Sequence, residues 1–306
     1  MKGHLAINDK EDWYKVELPS SGKLTIDIHS DADLLDFGIR DAEENVTEGH
    51  LQDVGVYKGD QAETIELTKG TYYIYFNEGD SHFNGTAIHG NYSFRLTFKA
   101  SGETYQYENN SVNLVRKKAA IPLATTIKGH IAENDFVDYF KVKIPKTGKY
   151  TLKIVSQVEE GEFRLLDKNE QYVEDYYLTK GTAIYTLSLK KGTYYLCTGN
   201  GSYGNFSFRI TPKSVSLSKV KKAEKSFKVT WKKGTGDGYQ IQYSTNKNFT
   251  KNVKKKTIKD VKTTSTTIKK LKSGKTYYVR IRSFVKGSDG KKVWSNWSQA
   301  KSVKTL

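Results

Sequence analysis

The stretch Asp12-Trp13-Tyr14-Lys15-Val16 occurs twice in this chain, returning 126 residues later as Asp138-Tyr139-Phe140-Lys141-Val142. Two further blocks are repeated in the same order: Lys69-Gly70-Thr71-Tyr72-Tyr73 returns as Lys191-Gly192-Thr193-Tyr194-Tyr195 and Gly90-Asn91-Tyr92-Ser93-Phe94 as Gly204-Asn205-Phe206-Ser207-Phe208. The offset shrinks along the chain because loops of the second copy are shorter. Constant blocks between variable loops indicate a duplicated domain, and the period is far longer than that of a solenoid.

The composition favours an all-β protein. The chain has 306 residues, room for two or three domains, with 21 tyrosines and only 4 prolines. Thr, Val, Ile, Tyr and Phe cluster in short runs, and no amphipathic run has the length of a clear helix. No stretch approaches the length of a membrane-spanning helix.

Alternating strands are predicted within each copy. Residues 15–18 and 23–28 alternate polar and apolar side chains on either side of the turn Pro19-Ser20-Ser21-Gly22, a pattern that predicts a hairpin with one buried face. Residues 71–76 and 92–98 alternate in the same way. Strands of this length separated by Gly-rich turns predict a β-sandwich.

These repeated blocks resemble the bacterial pre-peptidase C-terminal domain, a jelly-roll-like sandwich. The resemblance implies one such domain at residues 1–100 and a second at 101–213. Domains of that family open with an acidic and Asn-rich segment, which Glu108-Asn109-Asn110-Ser111 matches in the second copy. The first copy lacks this opening, so the sequence is expected to start just inside its first domain.

The last third of the chain has a different pattern. Phe227-Lys228-Val229-Thr230-Trp231 predicts a strand ending in tryptophan, and residues 239–244 and 278–283 alternate. Tyr277, after Leu271-Lys272-Ser273-Gly274, has the position of a tyrosine corner that bonds to upstream backbone. This order of landmarks resembles a fibronectin type III domain over residues 214–306. We therefore expect three tandem β-sandwiches, two jelly-roll-like and one immunoglobulin-like.

A calcium site is the first functional prediction. Carboxylate and amide oxygens are ligands that calcium prefers. The pre-peptidase domain is similar to the collagen-binding domains of clostridial collagenases, and that resemblance implies calcium held by Glu108, Asn110, Asp135 and Asp138. The alternative is that these residues are ordinary turn residues, because Asp and Asn are common in turns for backbone reasons.

A weaker prediction concerns exposed tyrosines. If Tyr72, Ile74 and Phe76 face the core, then Tyr73 and Tyr75 face solvent, and Tyr195 does so in the second copy. Exposed tyrosines make good contact surfaces for protein or sugar. Tyrosine is also a good strand former without any binding role.

No motif for catalysis is present in the sequence. It contains no nucleophile elbow, metal-hydrolase motif or phosphate-binding loop, and no Cys or His spacing typical of zinc. The single cysteine, Cys197, excludes an internal disulfide and is interpreted as an inert strand residue. We therefore expect a chain that is not an enzyme.

The Trp294-Ser295-Asn296-Trp297-Ser298 motif near the end of the chain is interpreted as structural. Arg280 and Arg282 alternate outward on a neighbouring strand, so a cation–π ladder with the tryptophans is available. An exposed aromatic strip for a glycan is the alternative.

Charge is distributed unevenly. The net charge of +16 divides into −9 for residues 1–100, +3 for 101–212 and +22 for 213–306, where Lys outnumbers Arg by 24 to 2. Sequence-specific nucleic-acid binding usually relies on Arg and on stacking aromatics, so a lysine-solvated surface or salt-sensitive attraction to an anionic polymer is favoured.

The sequence thus predicts a non-catalytic binding, adhesion or spacer region of a secreted or cell-surface bacterial protein, with its signal peptide outside this chain. Its expected partners are an anionic polysaccharide, a cell-wall polymer or an extracellular matrix protein, without specific nucleic-acid binding or membrane insertion, and the chain is expected to be a monomer. The alternative is the accessory region of a secreted peptidase or glycosidase whose catalytic domain lies elsewhere.

Overall fold

The structure is a computed structural model, and it describes residues 1–6, 11–42, 53–78, 89–104, 111–135, 137–199, 201–287 and 289–306. Strands dominate these residues, as the composition predicts. They pack around three main hydrophobic clusters, at residues 5–94, 121–210 and 215–303. We call the corresponding parts of the chain the first unit (1–100), the second unit (101–213) and the third unit (214–306). No helix in the described ranges is long and apolar enough to cross a membrane.

The first unit holds six strands in the order β1-β6-β3-β5-β2, with β4 paired to β3. The strands are β1 (Lys2–Leu5), β2 (Glu11–Leu18), β3 (Gly22–Asp41), β4 (Val54–Leu67), β5 (Gly70–Glu78) and β6 (Gly90–Ala100). The second unit repeats this topology as β7-β12-β9-β11-β8, with β10 paired to β9. It contains α1 (Val112–Arg116), β7 (Ile127–Ile131), β8 (Tyr139–Ile144), β9 (Gly148–Asp167), β10 (Tyr172–Leu189), β11 (Gly192–Gly199) and β12 (Gly204–Pro212).

One long strand joins the two layers of each of these units. Residues Gly22–Ser30 of β3 pair with β6, whereas Leu35–Asp41 pair with β5. Between the two halves, the buried Ser30 hydroxyl accepts a hydrogen bond from the Ala32 amide at 3.1 Å. Ser156 bonds the Val158 amide at 2.9 Å in the second unit. The repeated serine satisfies the backbone where pairing is interrupted, so the strand can change layers at that point.

The repeated glycine before each histidine has a packing role. Gly3 is paired with Tyr92 and Gly129 with Phe206. A Cβ atom on either glycine would lie 2.2 Å from the facing aromatic ring. The ring therefore covers the glycine, and this close approach accounts for the residue at both positions.

The predicted hairpin at Pro19–Gly22 is wrong. The strand before it, β2, pairs with β5, while β3 pairs with β4, β5 and β6. The turn therefore links strands that share no hydrogen bonds. An alternating pattern shows only which side chains face the core. Two strands that lie on opposite sides of one core have the same pattern as two strands that pair with each other, so the pattern does not identify the partner.

The third unit is a sandwich of two antiparallel sheets, β13-β14-β17 and β16-β15-β18-β19, with β20 also paired to β18. Its strands are β13 (Leu217–Ala223), β14 (Ser226–Trp231), β15 (Gly238–Ser244), β16 (Lys254–Ile258), β17 (Ser265–Ile268), β18 (Thr276–Lys286), β19 (Lys292–Trp294) and β20 (Lys301–Lys304). The Lys272 amide donates to the Tyr277 hydroxyl at 3.2 Å, which confirms the predicted bond of the tyrosine to upstream backbone.

Candidate binding surfaces

The structure describes two of the four predicted calcium ligands, Asp135 and Asp138. Asp135 exchanges two backbone hydrogen bonds with Ala132, at 3.1 and 3.2 Å. Asp138 is buried, and its amide donates to the Thr198 hydroxyl at 2.7 Å. Glu108 and Asn110 lie outside the described residues. Across the described ranges no three His, Cys, Asp or Glu residues gather in a group that could hold a metal. Calcium takes six to eight oxygen ligands, and Asp135 and Asp138 by themselves supply too few.

Cys197 is buried on β11, and its Sγ lies 3.4 Å from the Arg164 carbonyl oxygen. Burial raises the pKa of its thiol to about 11, against the weaker opposing effect of the Arg164 charge. Since the thiolate is the reactive form, this environment suits an inert strand residue rather than a nucleophile.

The tyrosines of the first unit only partly follow the prediction. Tyr72, Ile74 and Phe76 are buried in the core as expected, and Tyr73 is half-buried on the outer face. Tyr75 also faces outward, but it is only 2% exposed, so its predicted exposure is wrong.

Neighbouring side chains cover Tyr75. The Trp13 ring lies 4.9 Å from its ring, the Arg40 guanidinium lies 5.3 Å away, and its hydroxyl donates to Asp53 Oδ1 at 2.8 Å. Its ring lies across Gly38, where a Cβ would come within 2.4 Å. In the second unit, Cys197 has the position of Tyr75, and its cross-strand partner Arg164 has the position of Gly38. The large and the small side chain of the pair have thus exchanged strands.

Tyr195, the third predicted contact tyrosine, is 3% exposed, which also corrects its predicted exposure. The helix α1 covers it: Val112 and Val115 pack on its ring, with Tyr139 and Leu166 at the margin. Ser111 caps the helix, its side chain accepting from the Leu114 amide at 3.4 Å. A five-residue helix is too short for hydrophobic periodicity to reveal.

Sequence reasoning missed Trp13 and Arg40 as members of the outer face of the first unit. Trp13 is 45% exposed, and the Arg40 guanidinium carbon lies 5.5 Å from the centre of its ring. Trp13 lies in the first repeated block, where the second copy has Tyr139. An aromatic residue at this repeated position, on the face of β2 opposite the core, was the feature of the sequence that could have indicated an aromatic surface here.

The third unit contains the predicted cation–π ladder. Arg282 lies 4.0 Å from the Trp294 ring and 4.3 Å from the Trp297 ring, and Arg280 lies 4.7 Å from Trp297 and 4.1 Å from Phe249. The Nε atoms of Arg280 and Arg282 donate to the side-chain oxygens of Gln242 and Gln240 at 2.6 and 3.1 Å. Both guanidinium groups are therefore bonded and stacked within the unit, as a structural role requires.

Lysines occupy the outer side of the sheet β13-β14-β17. Lys219 and Lys221 project from β13 and Lys228 from β14, and all three are exposed. Lys221 and Lys228 are direct cross-strand partners. We call these three residues the basic face. Like charges directly opposite each other repel, so this face concentrates positive charge at a cost to the sheet.

Residues 211–301 match the fibronectin type III domain family, and the third unit is such a domain. No curated protein matches the chain.

Several solved structures are similar in parts. A pre-peptidase C-terminal domain of collagenase from Bacillus anthracis is 17% identical, covering 30% of this chain and 92% of that domain at a TM-score of 0.27. A two-domain fibronectin type III segment of chicken tenascin is 20% identical, covering 55% and 98% at a TM-score of 0.27. A β-1,2-glucanase from Parabacteroides distasonis is 13% identical, covering 55% of this chain and 30% of the glucanase at a TM-score of 0.25. The chain thus spans less than a third of the glucanase.

Proposed function

We propose that this chain is a non-catalytic binding region that attaches a secreted or cell-surface bacterial protein to an anionic polymer, with the third unit as the binding domain. Fibronectin type III sandwiches commonly serve as binding or spacer modules, and the third unit matches that family. The observation that carries the proposal is the direct pairing of Lys221 with Lys228 on an exposed face.

The chemistry of this face fits a flexible polyanion better than a specific small anion. Its three lysines are exposed point charges, and residues 213–306 carry a net charge of +22. A chain of carboxylates or phosphates lying over the outer side of β13 and β14 would relieve the repulsion of the paired lysines. Such binding needs only a field of positive charge, and it weakens as salt screens that field.

The test is a binding titration of the whole chain with fluorescently labelled polygalacturonate, followed by anisotropy at about 0.05 M and about 0.5 M NaCl. We expect affinity to fall steeply with salt and to fall further in the double variant Lys221→Glu/Lys228→Glu. The matched control, Lys58→Glu/Lys99→Glu, changes the net charge equally in the first unit and should bind nearly as well as the native chain.

Two results would overturn the proposal. Equal loss in the two double variants would mean that net charge alone governs binding and that the basic face has no special role. Turnover of a polysaccharide by the purified chain would contradict its non-catalytic character.

We further propose calcium in the second unit, with Glu108 and Asn110 completing a site around Asp135 and Asp138. Carboxylate and amide oxygens suit calcium, and the backbone bonds of Asp135 and Asp138 hold this loop in place. Calorimetric titration of calcium into chelated protein should show binding that Asp135→Ala/Asp138→Ala abolishes. Absence of heat in the native chain would leave these residues as turn residues.

A further inference from the structure

The outer face of the second unit is covered by the short helix α1. Val112 and Val115 of α1 pack on Tyr195. The Nζ atom of Lys141 donates to the carbonyl oxygens of Arg116 at 2.7 Å and of Lys118 at 3.0 Å. A lysine at this end of a helix satisfies carbonyl groups that have no partner within the helix and is favoured by the helix dipole.

The first unit presents the same arrangement of side chains. Tyr195 is paired with Lys141 on β8 and with Leu166 on β9. Tyr73 is paired in the same way with Lys15 on β2 and with Arg40 on β3. The lysine that caps the helix and the tyrosine beneath the helix are thus both repeated, at corresponding places in corresponding strands.

In the first unit, these groups are accessible. Trp13 is 45% exposed, and a cavity of about 350 Å³ is lined by Trp13, Arg40, Asp41, Ala42 and Tyr73. Lys15 points to Glu17 at 2.7 Å, in an ion pair with both side chains more than half exposed. Exposed pairs of this kind contribute little, so Lys15 can exchange this partner at small cost.

We infer that Trp13, Lys15, Arg40 and Tyr73, which we call the Trp13 face, form a docking site for a short helix of a partner polypeptide. The occupant is a segment like residues 111–118, with two apolar residues three apart on one side. Those residues lie on Trp13 and Tyr73, and the last carbonyl groups of the helix accept hydrogen bonds from Lys15. Arg40 has the register position that Leu166 has in the second unit, so one apolar side chain at the margin of the helix site is replaced by a cation in the first unit.

The test uses the full chain, labelled with ¹⁵N, and a synthetic peptide with the sequence of residues 111–118, acetylated and amidated. The probe is the indole N–H signal of Trp13, identified by its loss in Trp13→Phe. We expect a saturable shift of this signal, while the indole signals of Trp231, Trp294 and Trp297 stay in place. Lys15→Ala should weaken binding about tenfold, as the loss of a charge-assisted hydrogen bond predicts.

A control peptide carrying Val112→Asp and Val115→Asp keeps the backbone groups but loses the apolar contacts, and it should not bind. Because a free peptide of this length binds weakly, a second arm fuses residues 111–126 directly before Met1, which raises the effective concentration. In that fusion, Trp13 should be protected from acrylamide quenching relative to the same fusion with the two Asp substitutions.

The inference is overturned if the Trp13 signal responds to neither arm, or responds equally to the valine and aspartate peptides. It is also overturned if a soluble oligosaccharide shifts the Trp13 signal while the fused helix leaves it unchanged, since the face is then a sugar-binding platform.

Discussion

His130 Nε2 lies 3.5 Å from Glu66 Oε2 across the junction between the first and second units. The His130 side chain is 1% exposed, and its Nδ1 lies 3.1 Å from Asn205 Oδ1. The first unit repeats this pair as His4 and Asn91, 2.9 Å apart, but there the pair is exposed. The repeated histidine is therefore buried where the other unit covers it.

This burial predicts a pH-dependent junction. Desolvation lowers the pKa of His130 below its ordinary value of 6.5, against the raising effect of its bond to Asn205. The unfolded chain then binds the proton more readily, so stability is present above pH 6.5 and declines as pH falls below it. Burial raises the pKa of Glu66, against the lowering effect of the charges of Lys23 and Lys99. The contribution of Glu66 to folding stability is therefore present below its ordinary pKa of 4.5 and is lost as pH rises through the raised pKa. Between pH 7.5 and 5.5, the histidine is expected to dominate.

The measurement is the free energy of unfolding in denaturant at these two pH values. The native chain should lose stability toward pH 5.5, and His130→Asn should lose less. The control His4→Asn alters the exposed copy of the pair and should retain the native loss. Parallel pH dependences of the native chain and His130→Asn would contradict the prediction and indicate that a His130–Glu66 ion pair compensates the burial.

The side chain of Asn134 is expected to restrict the motion of the first unit relative to the second. This side chain accepts from the Thr68 amide at 3.1 Å and donates to the hydroxyls of Thr68 and Tyr72 at 3.0 and 2.9 Å. Asn134→Ala should cost about 1 kcal/mol per lost bond at most, because the site is exposed and water replaces part of the bonding. The expected result is faster tumbling of the first unit in ¹⁵N relaxation, absent from Asn248→Ala. Unchanged relaxation would contradict this prediction and show that other contacts, such as the hydrogen bond from the Glu133 amide to the Glu66 carbonyl oxygen at 3.0 Å, suffice to hold the junction.

The repeated blocks allowed the strands and the all-β class to be predicted, because alternation marks where strands with one buried face lie. The partners of those strands were not predictable in this way, since β2 pairs with β5 and not with β3. The Lys272–Tyr277 bond was predictable because a tyrosine corner depends on local spacing. The exposure of Tyr75 and Tyr195 was not predictable. Alternation assigns a side chain to a face, but what covers that face comes from elsewhere in the chain: Trp13 and Arg40 in one case and α1 in the other.

Arg282 should be a main contributor to the stability of the third unit. It stacks on Trp294 and Trp297, and its Nε and a terminal nitrogen donate to Gln240 Oε1 at 3.1 and 2.7 Å. Arg282→Ala should lower the free energy of unfolding by about 2 kcal/mol, and Arg282→Lys should recover only part of it because lysine lacks the planar fork. Arg95→Ala, which removes an exposed pair with Asp27, should cost less than about 1 kcal/mol. Equal losses in urea unfolding would show that the ladder is only a surface arrangement.

The reactivity of the buried Cys197 thiol reports how readily strand β11 of the second unit opens. Burial raises the pKa of the thiol to about 11, so at pH 8 the thiolate fraction should be roughly a hundredfold below that of an ordinary cysteine. We therefore expect Cys197 to react at least that much more slowly with a disulfide reagent in the native chain than in urea, with Cys197→Ser as the blank. Reaction at the unfolded rate would mean that β11 opens readily, and hydrogen exchange of the Tyr195 and Cys197 amides would then be fast as well. Slow reaction with protected amides would instead identify β11, paired on both sides by β8 and β9, as part of the stable core on which α1 rests.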